Sequence, residues 1–204
     1  MIETNTLLDV ANAALMAAGD RFIETLGDKS DKTSMQVASL IRQAVVDVES
    51  ASANPWRELY KVEALVPRVD VPFCGEWVFN KPTDCLNVVG VCANGTFSEL
   101  DYREEGREIY VPTRLFHFRP DGNVPAVLCK YTRLSLDPGE WSGDLRGCVI
   151  GLLTARLIGV LSANPTASQA LEKAFWEGEF QRRTGNRIVC TEGRGEYWKG
   201  RHEV

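Results

Sequence analysis

At 204 residues, 44% of them hydrophobic, the chain can bury a sizeable core, either as one large domain or as two small ones. Its formal charge of −5 is unevenly spread: residues 181–204 hold six Arg or Lys against three Glu, a basic tail on an acidic body. An acidic body excludes a sequence-reading DNA-binding domain, which needs a cationic face to neutralise phosphates.

The opening MIETNTLLDVANAALMAAG has no basic region ahead of an apolar run, so export is not expected. From Thr6 to Ala18 the apolar residues Leu7, Val10, Ala11, Ala14, Leu15 and Ala18 form the one-sided stripe of an amphipathic helix, with Gly19 as its stop. A second helix is expected from about Thr33 to Ser52, opened by a Thr33-x-x-Gln36 capping box, burying Val37, Ile41, Ala44, Val45 and Val48, and ended by Asn54-Pro55.

After Trp56 the texture changes to short β-rich runs at 62–66, 76–79, 85–91, 97–111 and 126–134, with a hairpin turn expected at Glu105-Gly106. Helices return near Gly139. Leu145 to Leu161 is apolar on nearly every side, which requires burial on several faces. Its surroundings, Cys148 to Ala163, are interrupted by Thr154 and Arg156 and fall short of the roughly 20 apolar residues of a membrane span. Asn164-Pro165 then supplies the N-cap and first residue of a fourth helix, with Ala167, Ala170, Leu171, Ala174, Phe175 and Gly178 along its core stripe.

The expected fold is α+β: a four-helix bundle, two N-terminal and two C-terminal helices, with an inserted small antiparallel β-sheet or partial barrel and an extended C-terminal tail. Residues 1–61 and 135–183 are the two halves of the bundle, 62–134 the inserted β domain and 184–204 the tail.

Chemistry-bearing motifs are sparse. The six cysteines contain no CxxC pair and the two histidines, His117 and His202, lie far from any paired cysteines, so reduced and mostly buried thiols are expected and no metal site is. His117 sits in the alternating segment RLFHFR as a strand residue, and the acidic residues fall in no recognisable pair motif. No P-loop occurs, and GRGEYWKG lacks the strand-to-helix context that phosphate binding needs. No catalytic residue, cofactor or metal is therefore expected.

Two features stand out. Trp176 and Phe180, four residues apart, lie on a helix face roughly opposite the stripe of Leu171, Ala174 and Phe175, and either the sheet covers them or they mark a protein interface. In the tail, Tyr197-Trp198-Lys199 sets amphipathic anchors among basic groups, the composition of a docking hot spot.

Four stretches in order carry a resemblance across roughly residues 5 to 185: NAALMAAGDRFIETLGD, NPWRELYKVEALVP, FNKPTDCLNVVGV, and KYTRLSLDPGEW followed by LLTARLIGVLSANPTASQALEKAFWEGEFQRR. Together they resemble the head-to-tail adaptor of short-tailed phages, the tail tubular protein A family. One departure is Lys81, which stands where that family's Leu-Pro-x-Asp turn has leucine.

The resemblance implies a non-enzymatic virion protein at the head-tail junction, made and assembled in the host bacterial cytoplasm. It implies a dodecameric ring that joins a portal protein to a tail nozzle protein and passes double-stranded DNA without sequence-specific binding. By that analogy Arg187, Arg194, Tyr197, Trp198 and Lys199 contact the portal, Trp176 and Phe180 a neighbouring subunit, and Phe97, Tyr102 and Tyr110 the nozzle. The alternatives are a head-completion connector of a long-tailed phage, a tail-associated cell-wall hydrolase with opposed carboxylates, and a binding module whose basic tail holds nucleic acid.

Overall fold

The structure, a computed structural model, describes residues 6–51, 56–68, 75–93, 102–113 and 127–184. Helix α1 (Leu7–Ala18) begins at a reciprocal cap: Thr6 Oγ1 accepts from the Asp9 N–H, and the Asp9 carboxylate accepts from the Thr6 N–H. It stops at Gly19, whose φ of 81° is the left-handed conformation that closes a helix C-terminus. Helix α2 (Lys32–Glu49) starts one residue earlier than its expected Thr33-x-x-Gln36 box, because the Asp31 carboxylate takes the cap and accepts from the Thr33 N–H at 3.0 Å. The anticipated core residues Val37, Ile41, Ala44, Val45 and Val48 are all buried.

Helix α3 (Gly143–Leu161) is capped by Ser142, and helix α4 (Pro165–Ala174) by Asn164, whose side chain accepts from the Ala167 N–H. α3 touches α1, α2 and α4 along its length, whereas α1 and α2 barely meet. α3 is therefore a hub. Its near-uniform apolarity leaves it no face that water prefers, so burial from several sides is its stable arrangement.

On α3 the small residues Gly147, Gly151, Ala155 and Gly159 recur every four positions and form a trough. At Gly159 a Cβ would overlap the Ser168 side chain and lie 3.2 Å from the Ser168 Cα, so only hydrogen lets α4 approach this closely. At Gly151 a Cβ would lie 3.1 Å from Phe175 and Glu179.

The α+β class holds, but the expected four-helix bundle with one inserted sheet does not form, on two counts. α4 buries none of its own residues; Ala170, Leu171 and Ala174 of its expected core stripe are exposed, so it rides on the α3 trough as a cover instead of completing a bundle. The second count concerns the strands. Residues 59–134 form a compact unit of their own, with two three-stranded antiparallel sheets in place of one sheet or a partial barrel.

The strands are β1 (Tyr60–Ala64), β2 (Glu76–Asn80), β3 (Cys85–Ala93), β4 (Arg103–Glu105), β5 (Glu108–Pro112) and β6 (Val127–Arg133), ordered β1-β6-β3 and β2-β5-β4. Alternation aims Val127, Cys129 and Tyr131 of β6 and Ile109 and Val111 of β5 into one core with Phe79 and Val91. One short hairpin links β4 to β5 through Gly106-Arg107, one residue beyond the expected Glu105-Gly106 step, with Gly106 at φ 55° as a turn of the II′ kind requires. Pairing partners follow from which faces are apolar on strands distant in sequence, and this is why the split into two sheets is not visible in any local pattern.

Within the helical unit, residues 1–58 and 135–204, buried hydrogen bonds hold the residues that precede and follow this excursion. The buried Trp56 indole N–H donates to the Val48 carbonyl at 2.7 Å. The Ser135 N–H donates to the buried Glu49 carboxylate at 3.1 Å, and the Trp141 indole donates to the Ser135 carbonyl. Each is a buried donor given a partner, the condition for polar groups inside a core.

Gly159→Ala should destabilise the chain by about 1–3 kcal/mol, the usual range for overpacking a tight contact. Gly147→Ala should be far milder, since only the tip of the Arg183 side chain must move and a helical glycine is removed. Urea midpoints of the two variants check this, and equal losses would overturn the close-approach account.

Candidate functional site

Around α3 the three neighbouring helices leave a half-buried strip that includes Gly151, Thr154 and Ile158. Arg156 marks the closed side: its guanidinium binds Asp47 of α2 at 2.6 Å and Glu172 of α4 at 3.3 Å, with the side chain only 14% exposed. Thr154, two residues earlier and so about 160° away around a helix, donates to the Ile150 carbonyl at 2.8 Å and to the Ala14 carbonyl of α1 at 3.4 Å. Between α3 and α4 the surface dips into a groove of about 260 Å³ floored by Gly151, Thr154, Ala155 and Ile158. Its α4 wall is Leu171, Ala174 and Phe175, and Glu179 stands at one end. Leu171 on its wall and Leu161 at the end of α3 remain 38% exposed.

The groove is apolar and shallow, and its lining contains no nucleophile-base pair. What it can do chemically is accept an aliphatic ridge.

Trp176 and Phe180 belong to the segment after α4, where Phe175–Phe180 winds as a π-helix before helical turns continue to 184. Residues five apart stand about 140° apart on an α-helix, but the wider π turn brings Phe175 and Phe180 round to the same side. Both are buried, with ring centroids 6.1 Å apart; Trp176 packs edge-on to each, at 5.0 and 4.8 Å, and Trp56 meets Phe180 at 6.2 Å. The expectation of two opposed faces, with Phe175 on one and Trp176 and Phe180 on the other, is thus corrected: the three rings and Trp56 form one cluster. Phe180 is 4% exposed within its own chain and Trp176 half-buried.

In the β unit the two tyrosines expected at the nozzle are already engaged. Tyr102 packs against the core, and Tyr110 lies under the Arg103 guanidinium at 3.7 Å with its hydroxyl donating to Glu108 at 2.6 Å. Arg103 also grips the Glu76 carboxylate at 2.8 Å.

A second cluster escaped the sequence reading. Tyr131 Oη lies 2.9 Å from Asp84 and 3.0 Å from Glu63, and Lys61 Nζ lies 3.1 Å from Glu63 and 3.5 Å from Asp84. Hydrogen bonds from Lys61 and then Tyr131 hold the Glu63 carboxyl below its ordinary value. Burial pushes Asp84 up, but the Tyr131 hydroxyl, a backbone N–H and Lys61 together pull it down. The partial signal in sequence was the Pro82-Thr83-Asp84 turn and the same-face spacing of Lys61 and Glu63; nothing local announced Tyr131.

Burial raises the Cys85 thiol to about 11 and the Cys129 thiol to about 12, so both are protonated packing groups near neutral pH. Among the described residues no group of three or more His, Cys, Asp or Glu is placed to hold a metal ion, and no helix is long and apolar enough to cross a membrane. Phe97, His117, His202 and the expected portal contacts Arg187, Arg194, Tyr197, Trp198 and Lys199 lie outside the described residues.

Phe180→Ala should cost the isolated chain about 3–5 kcal/mol, as for a buried aromatic, and Trp176→Ala distinctly less; urea unfolding of the monomer decides. The Glu63 and Asp84 carboxyls, held low, support folding above their ordinary values of 4.5 and 3.8, and that support is lost as pH falls through their lower folded values. Asp84→Asn should therefore lower the urea midpoint at neutral pH and flatten the fall below pH 4.5; an unchanged acid limb would show that the cluster contributes nothing.

No protein-family model matches the chain, and no curated protein matches it in sequence.

Proposed function

We propose that the chain is a structural virion protein, a ring-forming head-to-tail adaptor that joins a portal to a tail nozzle in a short-tailed phage and forms part of the channel for packaged DNA. The observation that carries the reading is the apolar groove between α3 and α4, with Leu171 on its wall and Leu161 exposed at the end of α3. A closed ring of head-to-tail contacts is one arrangement that would cover such an apolar surface.

The electrostatics support the same reading. DNA that must slide is best served by a wall that does not release its counterions, and the net charge of −5 repels phosphate. The order of the four resembling stretches points to the same family. The portal contacts remain Arg187, Arg194, Tyr197, Trp198 and Lys199, in the basic tail. For the nozzle, Phe97, Tyr102 and Tyr110 stay as candidates, with the two tyrosines presenting only the parts of their rings that Arg103 and the β core leave free. The place of action is the head-tail junction, after synthesis in a bacterial cytoplasm.

Mass measurement of the purified protein with and without portal tests this. The expected result is a closed multiple of the chain mass on the portal, with portal affinity reduced tenfold or more, about 1.4 kcal/mol, when residues after Arg183 are removed. A chain that stays monomeric with portal present overturns the adaptor reading, and a truncation that leaves binding unchanged overturns the tail assignment.

A further inference from the structure

We propose that α4 is a strap, which lifts off α3 between two fixed ends and so controls whether the α3 face formed by Ala155, Ile158 and Gly159 is covered. The device belongs to the single chain and holds whether or not that chain closes into a ring. Three observations carry it.

The first is which side of α4 is turned inward. Ser168 meets Gly159, its hydroxyl lies 3.4 Å from the Ala155 carbonyl, and Glu172 binds Arg156 at 3.3 Å, so the side against α3 is polar. The apolar residues Ala170, Leu171 and Ala174 are exposed, and none of the 10 residues of α4 is buried. Docking therefore removes little apolar area from water, and the attachment rests on close backbone approach and an ion pair. Once detached, a helix this short is below the roughly 12–15 residues that hold a helix in water, so lifting and melting are one event.

The second is the hinge at its start. The Asn164 N–H donates to the Gly159 carbonyl at 3.0 Å and the Ala163 N–H to the Val160 carbonyl at 3.4 Å, the pair of bonds that closes a helix through a left-handed residue. That position is commonly glycine. Here it is Ala163 at φ 51°, the one non-glycine at positive φ among the described residues. Its Cβ strains the closed turn, and the strain is released when α4 lifts and Ala163 leaves that conformation.

The third is the fixed far end. Phe175, Phe180 and Thr184 are buried, and the Thr184 hydroxyl donates to the Phe180 carbonyl at 2.8 Å. The Arg183 guanidinium lies over Gly147 of α3 and binds Glu179 at 2.9 Å. The residues after α4 are thus better anchored than α4 itself, the reverse of the order in a helix that frays from its end.

Hydrogen exchange of the full chain, followed by mass spectrometry across a series of urea concentrations below the unfolding transition, tests the strap. Amides of 167–174 should exchange about tenfold faster, or more, than those of 148–157 and 178–184, with little response to urea, because a local opening exposes little surface. Ala163→Gly should slow exchange in 167–174 about fivefold by removing the Cβ penalty from the closed state. Rates in 167–174 equal to those of 148–157 overturn the strap. Fast exchange shared by the whole of 167–184 also overturns it, since that is a fraying end. An Ala163→Gly variant that slows 148–157 and leaves 167–174 unchanged overturns the hinge at Ala163.

Discussion

Everything in the helical unit depends on α3 having no polar side. A helix of 19 residues that is apolar around most of its circumference cannot sit at a surface, so three other helices are drawn onto it. The glycines determine how close they come. At Gly159 the α4 backbone approaches to a distance that no side chain would allow, and α4 can therefore be short, largely exposed and still attached. Arg156 adds direction to this non-directional attraction: by binding Asp47 and Glu172 together it fixes α2 and α4 about one stretch of α3, while Thr154 on the opposite side reaches the Ala14 carbonyl of α1.

The π turn is the second device. An extra residue in one turn re-aims Phe180 into the core, where it meets Phe175 and Trp56. Without it, the same residues in a regular helix would leave one large aromatic facing outward. Trp56 is thereby tied twice, by ring contact and by its bond to the Val48 carbonyl, at the point where the chain leaves the helical unit. Ser135, bound to Glu49, does the same where the chain returns. The last turn of α2 thus holds the two points of the helical unit, Trp56 and Ser135, between which residues 59–134 are inserted.

In the β unit Tyr131 is the comparable fixed point. Its ring is buried among residues of both sheets while its hydroxyl reaches two carboxylates and the neighbourhood of Lys61. That gives the Pro82-Thr83-Asp84 turn a structural purpose: the Asp84 side chain accepts from Tyr131, and its carbonyl accepts from the Leu134 N–H, so both ends of the residue are tied to β6 or the residue that follows it.

The sequence by itself determined the local elements of this protein. The period of the apolar residues set α1, α2 and the all-round burial of α3; Thr6, Asn164-Pro165, Gly19 and Gly106 set where segments begin, end or turn. Such signals are carried by residues within a few positions of one another, and backbone sterics and capping act over that range. Only the tertiary structure decided that β6 pairs with β1 and β3 while β5 pairs with β2 and β4, that Tyr131 joins Asp84 to Glu63, and that a π turn puts Phe180 inward beside Trp56. It alone decided that α4 covers one side of α3 and leaves the groove beside it. These outcomes depend on contacts between residues tens to more than a hundred positions apart, such as Arg156 with Asp47. Their energies come from burial and from distant partners, for which a linear pattern carries no address.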